Sequence, residues 1–173
     1  KILGVAESEI QGVRHGYVVN GDQAAASIRE AVSMAEKFAN IDIRRAFISV
    51  GGVTLQGGIS AGATIISKAD GEVTNLDVSK ALGDAEENLN LGNKKIIHVY
   101  PVIFRLDGKE VLGRLEGMRG TKLEAKALFV TYSLQHLEDL LSATALASVE
   151  ALDVTAGPIA ESNLVLSEKQ KIA

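Results

Sequence analysis

Residues 95–112, KIIHVYPVIFRLDGKEVL, decide how the rest of the chain is read. In Lys95–Leu106, Ile97, Val99 and Ile103 fall on one side of a two-residue alternation, and Ile96, Tyr100, Val102 and Phe104 fall on the other. Apolar, mostly β-branched or aromatic residues on both sides of a pleat predict a long strand, central or covered on both faces. Pro101 brings no N–H to a ladder, so a bulge or a local sheet edge is expected there. Asp107-Gly108 predicts a tight hairpin, whose central residues need positive φ. The chain is expected to return through Glu110–Leu112.

Upstream, Thr74-Asn75-Leu76-Asp77 has the form of a capping box. Val78, Ala81, Leu82, Ala85 and Leu89 follow at helical spacing, and Gly92 is the expected stop. Ile59–Ser67 alternates and predicts a strand; Ala46–Val50 reads as a short buried strand. The pairs Gly51-Gly52 and Gly57-Gly58 read as turns between these strands. Downstream, Gly113–Gly120 is a polar, glycine-rich loop. It leads to a strand over Lys122–Tyr132, with Leu123, Ala125, Ala127 and Phe129 on one face.

The two ends are less regular. Ile2–Ala6 predicts a strand, Gly12–Gly16 a loop and Tyr17–Val19 a short extended piece. A helix is expected from Asp22 as N-cap to a stop at Asn40, with Ala24, Ile28, Ala31, Val32, Ala35 and Ala39 on its apolar side. Ser133 is the expected cap of a helix facing inward through Leu134, Leu137, Leu141 and Ala145. Leu152–Thr155 predicts a strand, Pro158 the first turn of a last helix, and Ser167–Ala173 a polar end expected to fray. The order of elements is not a regular βα alternation, so the expected class is α+β, mixed sheets with packed helices in two subdomains.

Composition removes several functions. The chain has 173 residues, is 46% hydrophobic and carries a formal charge of −4, which argues against disorder and against a general nucleic-acid binder. With no cysteine there is no disulfide framework, thiol nucleophile or Cys-based zinc site. No apolar run approaches the ~18–20 residues of a membrane span. Lys1 stands where Met would begin a protein, so the sequence reads as a piece of a longer one.

Catalytic chemistry finds little support. The glycine pairs join strands, and no Gly-Lys-Ser/Thr follows, so they lack the strand-to-helix setting of a phosphate cradle. His15, His98 and His136 are far apart and have no partner at metal-binding spacing. The pairs Glu86-Glu87 and Glu138-Asp139 read as solvated helix faces. No catalytic or metal residue is assigned, and cofactor-binding residues stay unknown. The strongest candidate for a partner surface is Arg114, Met118 and Arg119 in the glycine-rich loop, residue types enriched at interfaces. The alternative is an ordinary loop with Leu115 and Met118 turned inward.

Taken in order, these stretches resemble one family. Gly12-Val13-Arg14-His15-Gly16 with Val18-Val19-Asn20, Ser27–Val32, Phe47–Gly52, Thr74–Val78, His98–Phe104 with Asp107-Gly108, and Gly117–Gly120 with Leu123 and Val130-Thr131 are similar to the bacterial cell-division protein family FtsA. The resemblance covers nearly the whole chain. It implies an actin-like ATPase (ribonuclease H-like) fold carrying an inserted strand–helix–strand–strand subdomain. That subdomain is expected at residues 44–133, with 1–43 and 134–173 as parts of the actin-like domain.

The resemblance also implies a cytoplasmic protein at the inner face of the cell membrane at the division site. There it would link FtsZ filaments to the membrane, polymerise with other FtsA-like subunits and recruit later division proteins. FtsZ and the membrane would be reached through parts not in this chain. ATP and Mg²⁺ are implied for the full-length protein and not for these residues, which are not expected to form an enzyme. The loop before Met118 lacks the Asp-Pro often found there in the family. A pilus-assembly relative therefore remains open, as does an enzyme or sensor that reuses the module.

Overall fold

The computed structural model describes residues 1–171. In chain order the elements are β1 (Val13–Arg14), β2 (Tyr17–Val18), α1 (Gly21–Ala39), β3 (Arg45–Val50), β4 (Gln56–Ile65), α2 (Asn75–Glu87) and β5 (Lys94–Leu106). They continue with β6 (Lys109–Glu110), β7 (Lys122–Ser133), α3 (Leu134–Leu146), β8 (Glu150–Ala156), α4 (Gly157–Val165) and α5 (Glu168–Lys171). The class is α+β, as expected. The fraying expected for Ser167–Ala173 rests partly on residues 172 and 173, outside the described residues.

The chain divides into two compact units. One is built from residues 1–55 and 132 onward, the other from residues 56–131. The expected module of 44–133 therefore begins later than its sequence suggested. The reason is β3, which pairs in parallel with β8, from Arg45↔Glu150 to Val50↔Ala156. It does not join the sheet with Ile96–Phe104 and Leu123–Val130, so it stays in the outer unit.

In the outer unit, α1 packs against α3. Asn20, not Asp22, caps α1: its side chain accepts from the Gln23 N–H at 3.0 Å, and Asp22 lies in the first turn, where its charge suits the helix dipole. Asn40 ends α1 in the left-handed region, φ 55°, as expected. The Arg29 guanidinium donates to the Leu146 carbonyl at 2.6 Å, at the C-terminal end of α3. On α3, Leu137, Ala143 and Thr144 are buried while Leu134 and Ala145 are exposed, so the helix is rotated from the expected face. Pro158 sits in the first turn of α4.

Ile2–Ala6 forms no strand. A strand needs a neighbour to satisfy its backbone, and no ladder includes these residues. The segment is followed by anchors on α1 instead. Ser8 donates to the Ser27 carbonyl and the Gln11 N–H donates to the Ser27 hydroxyl, each at 2.9 Å. Ile2, Leu3 and Val5 are left exposed.

The 56–131 unit has one sheet, in the order β4-β7-β5-β6, with α2 on one face. β4 and β7 pair antiparallel over ten residues, Gln56↔Thr131 to Ile65↔Lys122. Gly57 and Gly58 thus lie inside a strand and not in a turn. Side chains lie against both glycines: a Cβ on Gly57 would meet Leu128 and one on Gly58 would meet Leu89, while one on Gly62 would run into the α2 backbone at Ala81 and Ala85. The expected helix face holds: Ala81 and Ala85 are fully buried, and Val78, Leu82 and Leu89 pack beside them against Leu123, Ala125, Ala127 and Phe129.

β5 is less covered than its two apolar sides predicted. Its described ladder with β6 is only Arg105↔Glu110 and Leu106↔Lys109, so Pro101 lies where β6 offers no partner. Val99, Tyr100 and Val102 remain exposed. The Asp107-Gly108 hairpin is present with positive φ at both residues, 49° and 79°. The Asp107 carboxylate accepts from the Thr121 and Lys122 N–H groups, which joins the hairpin to the start of β7.

Candidate protein-interaction surface

The loop Gly113–Gly120 is held from below. Leu115 is buried beside Val73, Leu106 and Leu123, an apolar anchor in the middle of a polar segment. The loop backbone then runs beside residues 71–73. The Gly117 N–H donates to the Val73 carbonyl, the Val73 N–H to Met118, and the Gly120 N–H to Gly71, at 3.2, 2.8 and 3.0 Å. Glu72 and Arg119 form an antiparallel bridge in the same stretch. Gly71, at φ 72°, passes so close to Gly120 that a Cβ there would sit 3.0 Å from its carbonyl.

These bonds fix the backbone and leave the candidate side chains outside. Arg114, Met118 and Arg119 are all exposed, Met118 at 40%. Of the two residues that could turn inward, only Leu115 does. Arg114 Nε donates to Glu116 at 3.2 Å in an ion pair whose arginine is 83% exposed. Glu116 is held below its ordinary carboxyl value, first by its own backbone N–H and then by the Arg114 guanidinium. Such an exposed pair contributes little to stability, so Arg114 is available to another partner.

Asp77 steadies the segment against which the loop lies. It is fully buried, with 0% exposure. The Thr74 N–H and hydroxyl donate to one carboxylate oxygen at 2.9 and 2.6 Å. The Ser67 N–H donates to the other at 3.0 Å, and the Ser67 hydroxyl donates to the same oxygen. The Ser67 and Thr74 hydroxyls, with the two N–H groups, hold this carboxyl far below the usual range against the effect of burial. The capping box was legible in sequence. Ser67, ten residues upstream, was not.

The histidines remain dispersed. His98, half-buried on β5, has its ring 5.8 Å from Tyr100. His15 is exposed at the tip of the β1–β2 hairpin with φ 52°. His136, in the first turn of α3, lies 3.9 Å from the Tyr17 ring and edge-on to Tyr132, and its Nδ1 is 3.4 Å from the Thr54 hydroxyl. Burial raises the Tyr132 phenol above its ordinary value. The group Tyr17, Thr54, Tyr132 and His136 was not anticipated from sequence, because it joins three stretches of chain far apart in sequence. Among the described residues no three His, Asp or Glu side chains converge as metal ligands.

With this geometry in place, comparison with known proteins is direct. The family described as the SHS2 domain inserted in FTSA matches residues 52–131, the same module that the sheet and α2 delimit. Over 170 residues and 98% of its length, the chain is 28% identical to the cell division protein FtsA of Streptococcus pneumoniae and 27% identical to that of Bacillus subtilis. It is 27% identical over 171 residues to FtsA of Borreliella burgdorferi. The chain spans 37%, 39% and 41% of the lengths of these three relatives. Among solved structures, a chain of the PilM–PilN type IV pilus biogenesis complex shares the fold, with a TM-score of 0.55 and 12% identity over 90% of this chain and 40% of that one. No helix among the described residues is long and apolar enough to cross a membrane. Residues 52–131 thus match the SHS2 domain inserted in FTSA, and nearly the whole chain aligns with part of FtsA proteins at 27–28% identity.

Proposed function

We propose that this chain is the SHS2-bearing part of an FtsA-like actin-related protein of bacterial cell division, and that its module presents an interaction surface to other division proteins. Alignment of 98–99% of the chain with FtsA carries this reading. The pilus complex shares fold at 12% identity, which favours no function. In this reading, linkage to FtsZ, attachment to the inner face of the membrane at the division site, and the binding of ATP and Mg²⁺ are properties of the longer protein. These residues act in self-association and in recruitment of later division proteins, without catalysis of their own.

Within the module, the proposed contact is Arg114, Met118 and Arg119. Arginine gives directional, charge-assisted bonds to carboxylates, and methionine adapts its apolar surface to a partner. The loop is already fixed by Leu115 and the 71–73 backbone, so little further order is lost on binding. Arg114→Glu with Arg119→Glu, in the full-length protein, is expected to leave stability within about 0.5 kcal/mol. Filament assembly or partner recruitment, measured by sedimentation and co-purification, is expected to fall about tenfold, the effect of ~1.4 kcal/mol at an interface. Normal assembly and recruitment by the folded double variant would remove the loop from the proposed contact.

A further inference from the structure

The hairpin β1–β2 is paired over only two rungs, Val13↔Val18 and Arg14↔Tyr17. So short a hairpin keeps its shape only through what it packs against. Its base is fixed on the start of α1. The Val19 and Asn20 N–H groups donate to the Gly12 carbonyl at 2.8 and 3.0 Å, and a Cβ on Gly12 would run into the Asn20 carbonyl. Its tip, His15-Gly16, reaches the Gly51-Gly52 turn. A Cβ on Gly52 would lie 3.4 Å from the His15 carbonyl, and one on Gly16 would lie 3.7 Å from the Gly52 Cα.

Between base and tip, Tyr17 carries the contact. Its ring lies 3.9 Å from that of His136 in the first turn of α3, tilted by 33°. His136 Nδ1 is 3.4 Å from the Thr54 hydroxyl, and the same hydroxyl is a hydrogen-bond partner of the Tyr132 phenol. The Tyr17 hydroxyl is buried and finds no hydrogen-bond partner among the described residues, so Tyr17 acts through its ring. All four residues belong to the unit of residues 1–55 and 132 onward.

The segment that the hairpin tip touches is the link from β3 to β4. It is a turn closed by the Leu55 N–H, which donates to the Gly52 carbonyl at 3.2 Å, and Val53 on it is 76% exposed. Gly52, at φ 93°, holds a conformation that other residues rarely adopt. The chain leaves the outer unit after Leu55 and returns to it at Tyr132. Through Thr54 and Tyr132, the cluster therefore fastens the outgoing and the returning segment at once.

We propose that hairpin β1–β2 is a strap over the 51–55 link, closed by Tyr17 on His136, and that strap and link open together as one local unit before the rest of the outer unit unfolds. The strap sets how readily the entry to β4 loosens. It does not depend on the loop at 113–120, so the two proposals stand or fall separately.

The test is hydrogen exchange of the full-length protein, read by mass spectrometry on segments 13–20, 51–56 and 148–152. In urea below the unfolding transition, 13–20 and 51–56 are expected to exchange through one shared opening. That opening should be easier than the one that frees 148–152, where the Glu150 N–H donates to the Arg44 carbonyl at 2.8 Å. Tyr17→Ala should speed exchange about tenfold in 13–20 and 51–56 and leave 148–152 unchanged. His136→Ala should give the same pattern. Tyr17→Phe keeps the ring and should stay within about twofold of the native protein, because the hydroxyl it removes makes no bond. Separate openings of 13–20 and 51–56 in the native protein would overturn the proposal. So would unchanged exchange of 51–56 in Tyr17→Ala and His136→Ala. Equal acceleration of 148–152 would overturn it too, since the contact would then belong to the core of the outer unit.

Discussion

Gly62→Val is expected to unseat α2 from the sheet and destabilise the 56–131 unit by about 3 kcal/mol, the upper range for forcing extra atoms into a packed interior. Even the first added carbon of Gly62 would enter the α2 backbone at Ala81 and Ala85, and both of those residues are fully buried. No rotamer relieves that conflict, because the obstacle is main chain. Gly62→Ala should therefore show a smaller loss of the same kind, whereas glycine to alanine inside a strand normally stabilises through backbone entropy. Urea denaturation gives the magnitude, and hydrogen exchange of the α2 amides gives its location. An unchanged midpoint in Gly62→Val would mean that α2 does not cross β4 here.

Asp77→Ala is expected to cost about 2–4 kcal/mol, because it strands several buried donors at once. The Ser67 and Thr74 N–H groups would lose their acceptor between the end of β4 and the start of α2. The pH dependence carries an independent sign. Asp77 takes up its proton near pH 4 in the unfolded chain and far lower in the folded one. Its contribution is complete above about pH 4 and is lost as the pH falls through and below the usual carboxylate range. Denaturation midpoints between pH 6 and 2.5 should fall more steeply in the native sequence than in Asp77→Asn. Parallel curves would mean that Asp77 is not held ionised by Ser67 and Thr74.

What was legible in the sequence was local. The Thr74–Asp77 box, the apolar face from Val78 to Leu89, the Asp107-Gly108 turn and the alternation in Leu123–Phe129 each depend on residues within a few positions of one another. The parallel pairing of β3 with β8 was not legible, because it joins Arg45 to Glu150 across most of the chain. The inclusion of Ala46–Val50 in the module came with the bounds 44–133 that the resemblance implied. Ile2–Ala6 has strand composition, but no ladder includes it. Gly57-Gly58 reads as a turn because glycine serves both turns and close packing, and only the ladder with β7 and the neighbours Leu128 and Leu89 separate the two uses.

The candidate sites divide in the same way. The glycines and arginines of the 113–120 loop marked it as a candidate surface. The strap contact was hidden. It needs Tyr17 and Thr54 brought beside His136 from distant parts of the chain, and sequence spacing does not supply that. The Ser67–Asp77 bond was hidden for a related reason, since nothing in the capping box announces a third residue.

The most direct test of a division role is depletion of the full-length protein in its own cells, with a fluorescent fusion followed through the cell cycle. The proposed function predicts that the fusion gathers at the site of septation before constriction and that depleted cells elongate without septa. Unimpaired septation on depletion, with the fusion absent from the division site, would contradict it.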